Sequence, residues 1–176
     1  MERKLEVMRR YDETAHIYNR RYSAIQRKKY SAIKKFMPGR CGVALDLGCG
    51  SGLFFEELSK RAEILVGQDI SEGMLKIAGK IKHRLLVRGD AEHLPFSDDV
   101  FDLVVSVTLM QNVADPEMTM KEIARVLKRG GRAVVTSLRK KYGYKYLREL
   151  AERSGMRVLK AEEIQGTEDD MCVAVK

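Results

Sequence analysis

The stretch from Val43 to Gly52 constrains this chain most, because an apolar run ends there in an acidic residue and three glycines spaced two apart. This pattern is typical of a buried strand that turns tightly into a helix. Glycines at positions 48, 50 and 52 permit positive φ and let a ligand approach main-chain N–H groups, and a helix N-terminus would add a positive potential. We therefore expect a polar ligand here, although a glycine triplet alone also occurs in ordinary strand-to-helix turns.

Length and composition indicate one domain. The chain has 176 residues, of which 44% are apolar, enough for a substantial core. The longest apolar runs, such as Leu103–Val107, have the length of a strand, so neither a membrane span nor a signal peptide is indicated and we expect a cytoplasmic protein. Three cysteines without paired Cys or His spacing indicate neither a disulfide framework nor a metal site.

The basic charge is concentrated at one end. Residues 1–40 contain 12 Lys and Arg against 4 Asp and Glu, whereas residues 41–176 contain 21 of each kind. A polyanionic partner would explain this asymmetry, and so would a solvated helix face. We treat residues 1–40 as a basic helical cap of the domain formed by residues 41–176.

The cap contains one clearly periodic stretch, which predicts a helix from about Ser23 to Met37 that Pro38 ends. Tyr11–Thr14 is expected to form a separate short helix or an ordered loop. The cap also holds four tyrosines that could stack on a ligand or pack against the core, namely Tyr11, Tyr18, Tyr22 and Tyr30.

Strand-like and helical segments alternate after residue 42. Strand-like runs occur at Val43–Leu47, Ile64–Asp69, Leu85–Val87, Phe101–Val107, Arg132–Leu138, Met156–Glu163 and Met171–Val175. Asp115–Pro116 is expected to begin a helix that Gly130–Gly131 ends, and another helix is expected at Tyr144–Ser154. The alternation predicts an α/β fold, a Rossmann-like, doubly wound, mostly parallel seven-stranded sheet with an antiparallel last strand.

Two aspartates end predicted strands close to the glycine turn. Asp69 lies 17 residues after Gly52, where an acidic residue of a nucleoside-binding βαβ unit accepts hydrogen bonds from a ribose diol. Asp69 could instead cap the following helix, but Ser71 can take that role. Asp90 ends the third predicted strand in the same manner.

Five motifs occur in a characteristic order: Leu45–Gly52, Gly67–Ser71, Gly89–Phe96, Phe101–Asp102 and Leu127–Gly131. Together they resemble the class I S-adenosylmethionine-dependent methyltransferases over roughly residues 41–140. The G-x-G-x-G spacing also differs from the G-x-G-x-x-G spacing that nicotinamide-dependent dehydrogenases usually have.

The resemblance implies a set of cofactor-binding residues. The glycine loop and Asp46 would serve the methionine end of S-adenosylmethionine, Asp69 the ribose, Asp90 and Ala91 the adenine, with Ile70 and Met74 packed on its ring. Ser106 and Val107 would lie under the sulfonium. The complete set is Asp46, Gly48, Cys49, Gly50, Gly52, Asp69, Ile70, Met74, Asp90, Ala91, Ser106 and Val107. Because methyl transfer is an in-line displacement from a good leaving group, positioning can suffice and no acid–base pair is required.

Methyltransferases that act on amino groups often carry an Asn/Asp-Pro-Pro-aromatic loop after the fourth strand. This chain has Thr108–Val113 at that position instead. Tyr11–Thr14, Ile25–Gln26 and Ser106–Gln111 more narrowly resemble the eukaryotic small-subunit ribosomal-RNA guanine-N7 methyltransferases. Asn112 stands where those enzymes have an aromatic residue. Substrate-side candidates are therefore Tyr11, Tyr18, Gln111 and Asn112, although the last two could serve only capping or packing.

Three functions remain open from the sequence. RNA, bound through Lys and Arg in residues 1–40 and 139–148, is the expected acceptor. A small molecule such as a quinone, lipid or metabolite is the alternative acceptor, and a non-catalytic scaffold is a third possibility. The resemblance also implies a small zinc-binding activator protein along an edge strand at Leu85–Val87, unless Lys82, Arg84 and Arg88 protect that edge.

Overall fold

The computed structural model describes residues 2–81 and 85–176, and it begins with one long helix, α1 (Glu2–Ile33), followed by a 3-10 turn at Lys34–Phe36. The expectation of a helix that starts only at Ser23 was wrong. No glycine or proline interrupts residues 2–37. In the part of α1 before Ser23, the inward-facing residues include Lys4 and Asp12, and such polar residues conceal the helical period from a count of apolar residues.

The predicted seven-stranded sheet is confirmed. Its strands are β1 (Cys41–Leu47), β2 (Ala62–Asp69), β3 (Leu85–Arg88), β4 (Phe101–Ser106), β5 (Leu127–Leu138), β6 (Arg157–Glu163) and β7 (Asp169–Val175). They lie in the order β3-β2-β1-β4-β5-β7-β6. All pairs from β3 to β5 are parallel, and β7 is antiparallel to both β5 and β6. The carboxyl ends of five parallel strands therefore meet along one edge of the sheet.

In the described residues, four further helices connect the strands: α2 (Phe55–Ser59), α3 (Glu72–Ala78), α4 (Pro116–Val126) and α5 (Tyr144–Arg153). The side chain of Asp115 accepts a hydrogen bond from the N–H of Met118 at 2.9 Å, which caps α4 as its sequence predicted. The helix after the glycines, α2, begins three residues beyond Gly52.

The expected helix end at Gly130–Gly131 was also wrong. Leu127 already has an extended backbone, and Gly130 lies inside β5, where its N–H donates to the carbonyl of Lys176 at 2.9 Å. The two glycines thus belong to a strand that pairs with the last residue of the chain.

Apolar side chains cover both faces of the sheet. One cluster, which includes Phe101, Ile123 and Leu147, packs α4 and α5 against the strands. A second cluster on the other face includes Ile33 at the end of α1 and Phe55 on α2. This burial on two sides explains why the central strands are nearly continuous apolar runs.

Helix α1 crosses the carboxyl ends of the strands. Lys29 contacts the first residue of β7 and the loop after β4, and Asn19 contacts the glycine loop after β1. Closer to its start, Asp12 contacts the beginning of α3 after β2, and Lys4 contacts the segment after β3. The basic cap is thus a cover over the crevice at the carboxyl edge.

Strand β3 forms one edge of the sheet, as expected, and its neighbourhood is poorly covered. The connection from β3 to β4, residues 89–100, contains no helix. Leu85 is 59% exposed, and Ile64 on β2 is 47% exposed. Lys82 and Arg84, which could shield this edge, lie outside the described residues. Among the described helices, α1 included, none combines the length and apolarity needed to cross a membrane.

Candidate functional site

Asp46 lies at the base of the crevice without a partner. Its side chain is buried at the end of β1, and within residues 2–81 and 85–176 no cation or hydrogen-bond donor contacts its carboxylate. Burial, followed by the nearby charge of Asp69, raises the pKa of Asp46 to about 7. A buried carboxylate in this state is suited to receive a cationic ligand.

The glycine loop leaves open space beside Asp46. Gly48 and Gly50 have φ values of 73° and 54°, which favour glycine, and a Cβ added at Gly50 would meet no atom within 4 Å. Gly52 also has positive φ, but an added Cβ there would lie 2.7 Å from the ring of Phe55. Gly52 therefore allows close packing, whereas Gly50 leaves main chain accessible to a ligand.

Cys49 does not face the crevice. Its buried Sγ lies 3.0 Å from the position of a Cβ added at Gly67, and it belongs to the apolar cluster that contains Phe55. Burial raises the pKa of the thiol well above its ordinary value. Only the main chain of Cys49 is available for the binding role that the sequence suggested.

Asp69 links two strand ends. Its carboxylate accepts hydrogen bonds from the N–H of Gly50 at 2.8 Å and the N–H of Ser71 at 2.9 Å. Ser71 itself caps α3, as expected, by accepting from the N–H of Met74 at 3.1 Å. The capping role is thus met by Ser71, and Asp69 faces a cavity beside Ile70.

Asp90 is engaged by α1. Lys4 Nζ lies 2.7 Å from Asp90 Oδ2 and 2.6 Å from Glu92 Oε2. Burial opposes ionisation of Asp90, but the hydrogen bonds from Lys4 and the Glu92 N–H outweigh it and hold the pKa of Asp90 below its ordinary value. Lys4 therefore occupies the position that a ligand at Asp90 would need.

Most of the expected cofactor residues surround two small cavities under α1, of about 50 and 60 Å³. The lining includes Gly48, Gly50, Asp69, Ile70, Met74, Asp90, Ala91 and Val107. Two buried polar atoms close to this region, Gln68 Nε2 and Ser106 Oγ, have no hydrogen-bond partner among the described residues. Unsatisfied polar atoms of this kind indicate a place for a polar ligand.

A larger cleft of about 480 Å³ adjoins these cavities. Its wall on α1 includes Tyr11, Tyr18 and Tyr22, whose rings follow one another with centroid distances of 6.1 and 4.8 Å. Gln111 and Asn112 line the facing wall. The structure thus brings the four substrate-side candidates together, and we call this space the acceptor cleft.

Gln111 and Asn112 differ in how their amides are used. Gln111 Nε2 donates to the carbonyl of Thr108 at 2.5 Å, and Gln111 Oε1 accepts from Ser137 Oγ at 3.2 Å. The amide of Gln111 therefore stabilises the loop after β4 and joins it to β5. Asn112 Nδ2 donates to Tyr11 Oη at 3.0 Å and so joins the two walls of the cleft.

Several residues of the crevice were not expected from the sequence. Lys4, Gln26 and Lys29 come from the inner face of α1, and Thr108 lies in the loop after β4. Lysine and glutamine in a basic helix normally indicate solvent exposure. The sequence contained no signal by which Lys4 and Lys29 could have been recognised, whereas Gln26 and Thr108 stand in two motifs of the narrower resemblance, Ile25–Gln26 and Ser106–Gln111.

Ion pairs reduce the basic character of both segments that the sequence singled out. Arg139 pairs with Asp170 at 2.6 Å and lies 3.4 Å from Glu163, while Arg148 lies 3.8 Å from Glu152. On α1, Lys4 and Lys29 are also paired with carboxylates. In the described part of the chain, the cations of residues 139–148 without a carboxylate within 4 Å are Lys140, Lys141 and Lys145.

A family model described as a methyltransferase domain matches residues 45–135. A curated relative, the demethylmenaquinone methyltransferase of Mycolicibacterium paratuberculosis, is 39% identical over 129 residues, which cover 73% of this chain and 55% of the relative. The chain thus spans about half the length of such relatives.

Solved structures align over nearly the whole chain. A chain in the complex between the Haloferax volcanii Trm112 methyltransferase activator and a methyltransferase has a TM-score of 0.80 and 22% identity, with 94% of this chain and 96% of that chain covered. A TehB-like S-adenosylmethionine-dependent methyltransferase from Corynebacterium glutamicum has a TM-score of 0.76 and 26% identity, with coverage of 92% and 97%.

Proposed function

Because this chain belongs to the methyltransferase-domain family, whose cofactor is S-adenosylmethionine, we propose that it transfers a methyl group to an aromatic small molecule bound in the acceptor cleft. The observation that carries this proposal is the buried, unpartnered carboxylate of Asp46 next to an open glycine loop, whose Gly48 and Gly50 line one small cavity together with Tyr11 and Tyr18. A cationic donor and a flat acceptor would meet at this junction.

The residues of the crevice fit S-adenosylmethionine. Asp46 and the main chain at Gly48 and Gly50 would hold its charged amino-acid end, which supplies the cation that Asp46 lacks. Asp69 would accept from the ribose hydroxyls. The cavities under α1 are too small for the nucleoside while Lys4 lies there. Asp90 would therefore accept from the adenine amino group after Lys4 has moved away.

The remaining cofactor-binding residues would contribute packing contacts to the site and no charge. Ile70, Met74 and Ala91 would pack around the adenine, and Ser106 and Val107 would lie beneath the sulfur. The main chain of Cys49 and the close packing at Gly52 would maintain the loop that approaches the ligand.

The reaction depends on orientation. The cofactor supplies a methyl group on a sulfonium, which is already a good leaving group. Tyr11 and Tyr18 would hold the acceptor ring by stacking, while Asn112 fixes the Tyr11 hydroxyl at 3.0 Å and so fixes the angle of that wall. The transfer releases S-adenosylhomocysteine as the leaving group and the proton of the acceptor to water, and holding donor and acceptor in line supplies the rate.

Two observations favour a small molecule. The cleft volume of about 480 Å³ falls within the range of roughly 300–1,000 Å³ that is typical of small-molecule sites. The name of the 39% identical relative, demethylmenaquinone methyltransferase, refers to a quinone-type acceptor. We accordingly place the acceptor among planar aromatic compounds such as quinols.

RNA is a second candidate because Lys140, Lys141 and Lys145 are exposed and unpaired among the described residues. These lysines follow Leu138, which lines the acceptor cleft. A phosphate backbone along them would bring an unpaired base to the tyrosines.

Transfer of label from methyl-labelled S-adenosylmethionine to separated cell fractions distinguishes these candidates. We expect label in the solvent-extractable aromatic fraction and equal transfer by the Lys140→Glu, Lys141→Glu double variant. Label in RNA that this variant no longer transfers would instead establish the second candidate. Absence of transfer to every fraction, with the cofactor still bound, would identify a scaffold.

We also propose that a small zinc-binding activator protein pairs with β3. The support is the exposed edge at Leu85–Val87, the uncovered Ile64 beside it, and the structural similarity to a methyltransferase solved with the Trm112 activator. Size-exclusion chromatography with the activator homologue of the same organism should give a complex that Leu85→Lys disrupts. Leu159→Lys, at an exposed apolar position on the opposite edge strand β6, is the matched control, and an equal effect of both variants would contradict the proposal.

A further inference from the structure

A buried ion pair joins α1 to the first residue of β7. Lys29 Nζ lies 2.8 Å from Asp169 Oδ1, and the two side chains are 5% and 0% exposed. Burying both charges has a large desolvation cost, so such a pair is weak evidence for a role in stability. Its position at the acceptor cleft, which Lys29 lines, indicates another role.

The pair holds a strained residue. Thr108 has a φ of 58°, which is unfavourable for a β-branched side chain. Its hydroxyl contacts Lys29 Nζ at 2.8 Å and donates to Asp169 Oδ2 at 2.7 Å, and its N–H donates to Thr136 Oγ1 at 2.9 Å. The network therefore over-determines the backbone at the end of β4, where strain is commonly linked to function.

From Thr108 the network continues into the acceptor cleft. Asn112 Nδ2 donates to the carbonyl of Thr108 at 3.4 Å and to Tyr11 Oη at 3.0 Å. Lys29 and Tyr11 belong to the same helix, so the network fixes that helix at both ends of the cleft. Both walls of the cleft are thereby held at a defined separation.

We propose that Lys29 and Asp169 are positioning residues that set the distance between the tyrosine wall of α1 and the loop after β4. The inference rests on the proposed function, since the cleft is taken as the acceptor site. Neither residue lines the two small cavities of the cofactor side, and both act through Thr108 and Asn112.

Lys29→Met tests the proposal, with Lys28→Met at the exposed neighbouring position as control. We expect the Lys29 variant to lose at least tenfold in kcat while its affinity for S-adenosylhomocysteine, measured by calorimetry, stays unchanged. Amide hydrogen exchange should accelerate at residues 106–112 and remain as in the native protein in β2. Unchanged exchange at residues 106–112 would overturn the proposal.

Two further variants serve as controls for a loss of activity that is caused by unfolding. The double variant Lys29→Met, Asp169→Asn removes both charges and should melt near the native temperature, yet transfer should still fall at least tenfold. Thr108→Gly relieves the strain and should melt at or above the native temperature while transfer falls. Native transfer rates in both variants would overturn the proposal.

These measurements separate the two proposals. If the native protein transfers no methyl group to any fraction, the proposed function fails. The exchange comparison at residues 106–112 still decides whether Lys29 and Asp169 position the loop.

Discussion

The cofactor side and the acceptor side of the crevice are built by different means. On the cofactor side, carboxylates and glycines stand where parallel strands end, and the contacts that Asp69 makes there join residues 2 and 19 positions apart. On the acceptor side, a single helix supplies one wall, and its contacts join residues 101 positions apart, Tyr11 with Asn112, and 140 positions apart, Lys29 with Asp169. The first side depends on local backbone geometry, whereas the second depends on how α1 is docked.

The substitution with the largest expected effect is at Asp69, which lies on the cofactor side. We expect Asp69→Ala to weaken binding of S-adenosylhomocysteine by about 100-fold or more, because two hydrogen bonds to a charged group contribute about 1.5–3 kcal/mol each. Calorimetry measures this loss. Asp98→Ala, which removes a partner of Arg125 on the surface, is the control, and a similar loss there would show a general effect on the fold.

A pH effect should be confined to the cofactor side. With a pKa of about 7 in the folded, ligand-free protein, Asp46 is protonated below that pH and ionised above it. A cationic ligand binds the ionised form, so affinity for S-adenosylhomocysteine should fall by about tenfold per pH unit below 7 and level off above it.

The same pKa predicts how the free protein responds to pH. Because the folded pKa of Asp46 is raised, its contribution to stability is complete at pH values below the ordinary 3.8 and is lost as pH rises through about 7. Asp46→Asn should remove this loss and also flatten the pH dependence of binding. Binding by the native protein that is independent of pH between 5 and 7 would contradict the assignment.

A smaller effect should be confined to the acceptor side. Tyr22 lines the acceptor cleft but neither of the two small cavities, and it is 44% exposed. Tyr22→Leu should raise KM for an aromatic acceptor by about fivefold to tenfold through lost stacking, with cofactor affinity unchanged. Tyr142→Leu, at another tyrosine that takes part in ring stacking, is the control. A change in cofactor affinity would show that the two sides are not separate.

The smallest effect should appear where α1 reaches the cofactor side. Lys4→Met removes the cation at Asp90, and we expect affinity for S-adenosylhomocysteine to rise by up to about fivefold, as expected for a partly exposed ion pair. Lys60→Met, at a remote exposed pair with Glu56, should have no effect. Weaker binding by the Lys4 variant would mean that Lys4 assists the ligand.

The cofactor side was largely predictable because its signals are local. A strand, a glycine turn and an acidic residue at the end of the next strand fix the geometry of Asp46, Gly50 and Asp69 within a short segment. The enzyme class and cofactor expected from these motifs are confirmed by the family match, whereas the individual binding roles stay predictions. Cys49 shows the limit, since spacing does not reveal which way a loop side chain points.

The acceptor side was only partly predictable. Tyr11 and Asn112 could be named as candidates, but the length of α1 was missed because inward-facing Lys4 and Asp12 interrupt the apolar period of its first half. Pairing across long sequence separations, such as Lys29 with Asp169, leaves no local pattern. For the same reason, counting lysines and arginines overstated the basic surface that the sequence assigned to RNA.

The placement of the two chain ends has a practical consequence for experiments. Lys4 lies against Asp90 at the cofactor crevice, whereas Lys176 pairs with Gly131 at the opposite edge of the sheet. A purification tag joined before Glu2 would emerge beside the cofactor crevice, and one joined after Lys176 would lie far from it. Affinities measured with the two kinds of fusion protein should therefore differ, and those from C-terminal fusions should resemble the untagged chain.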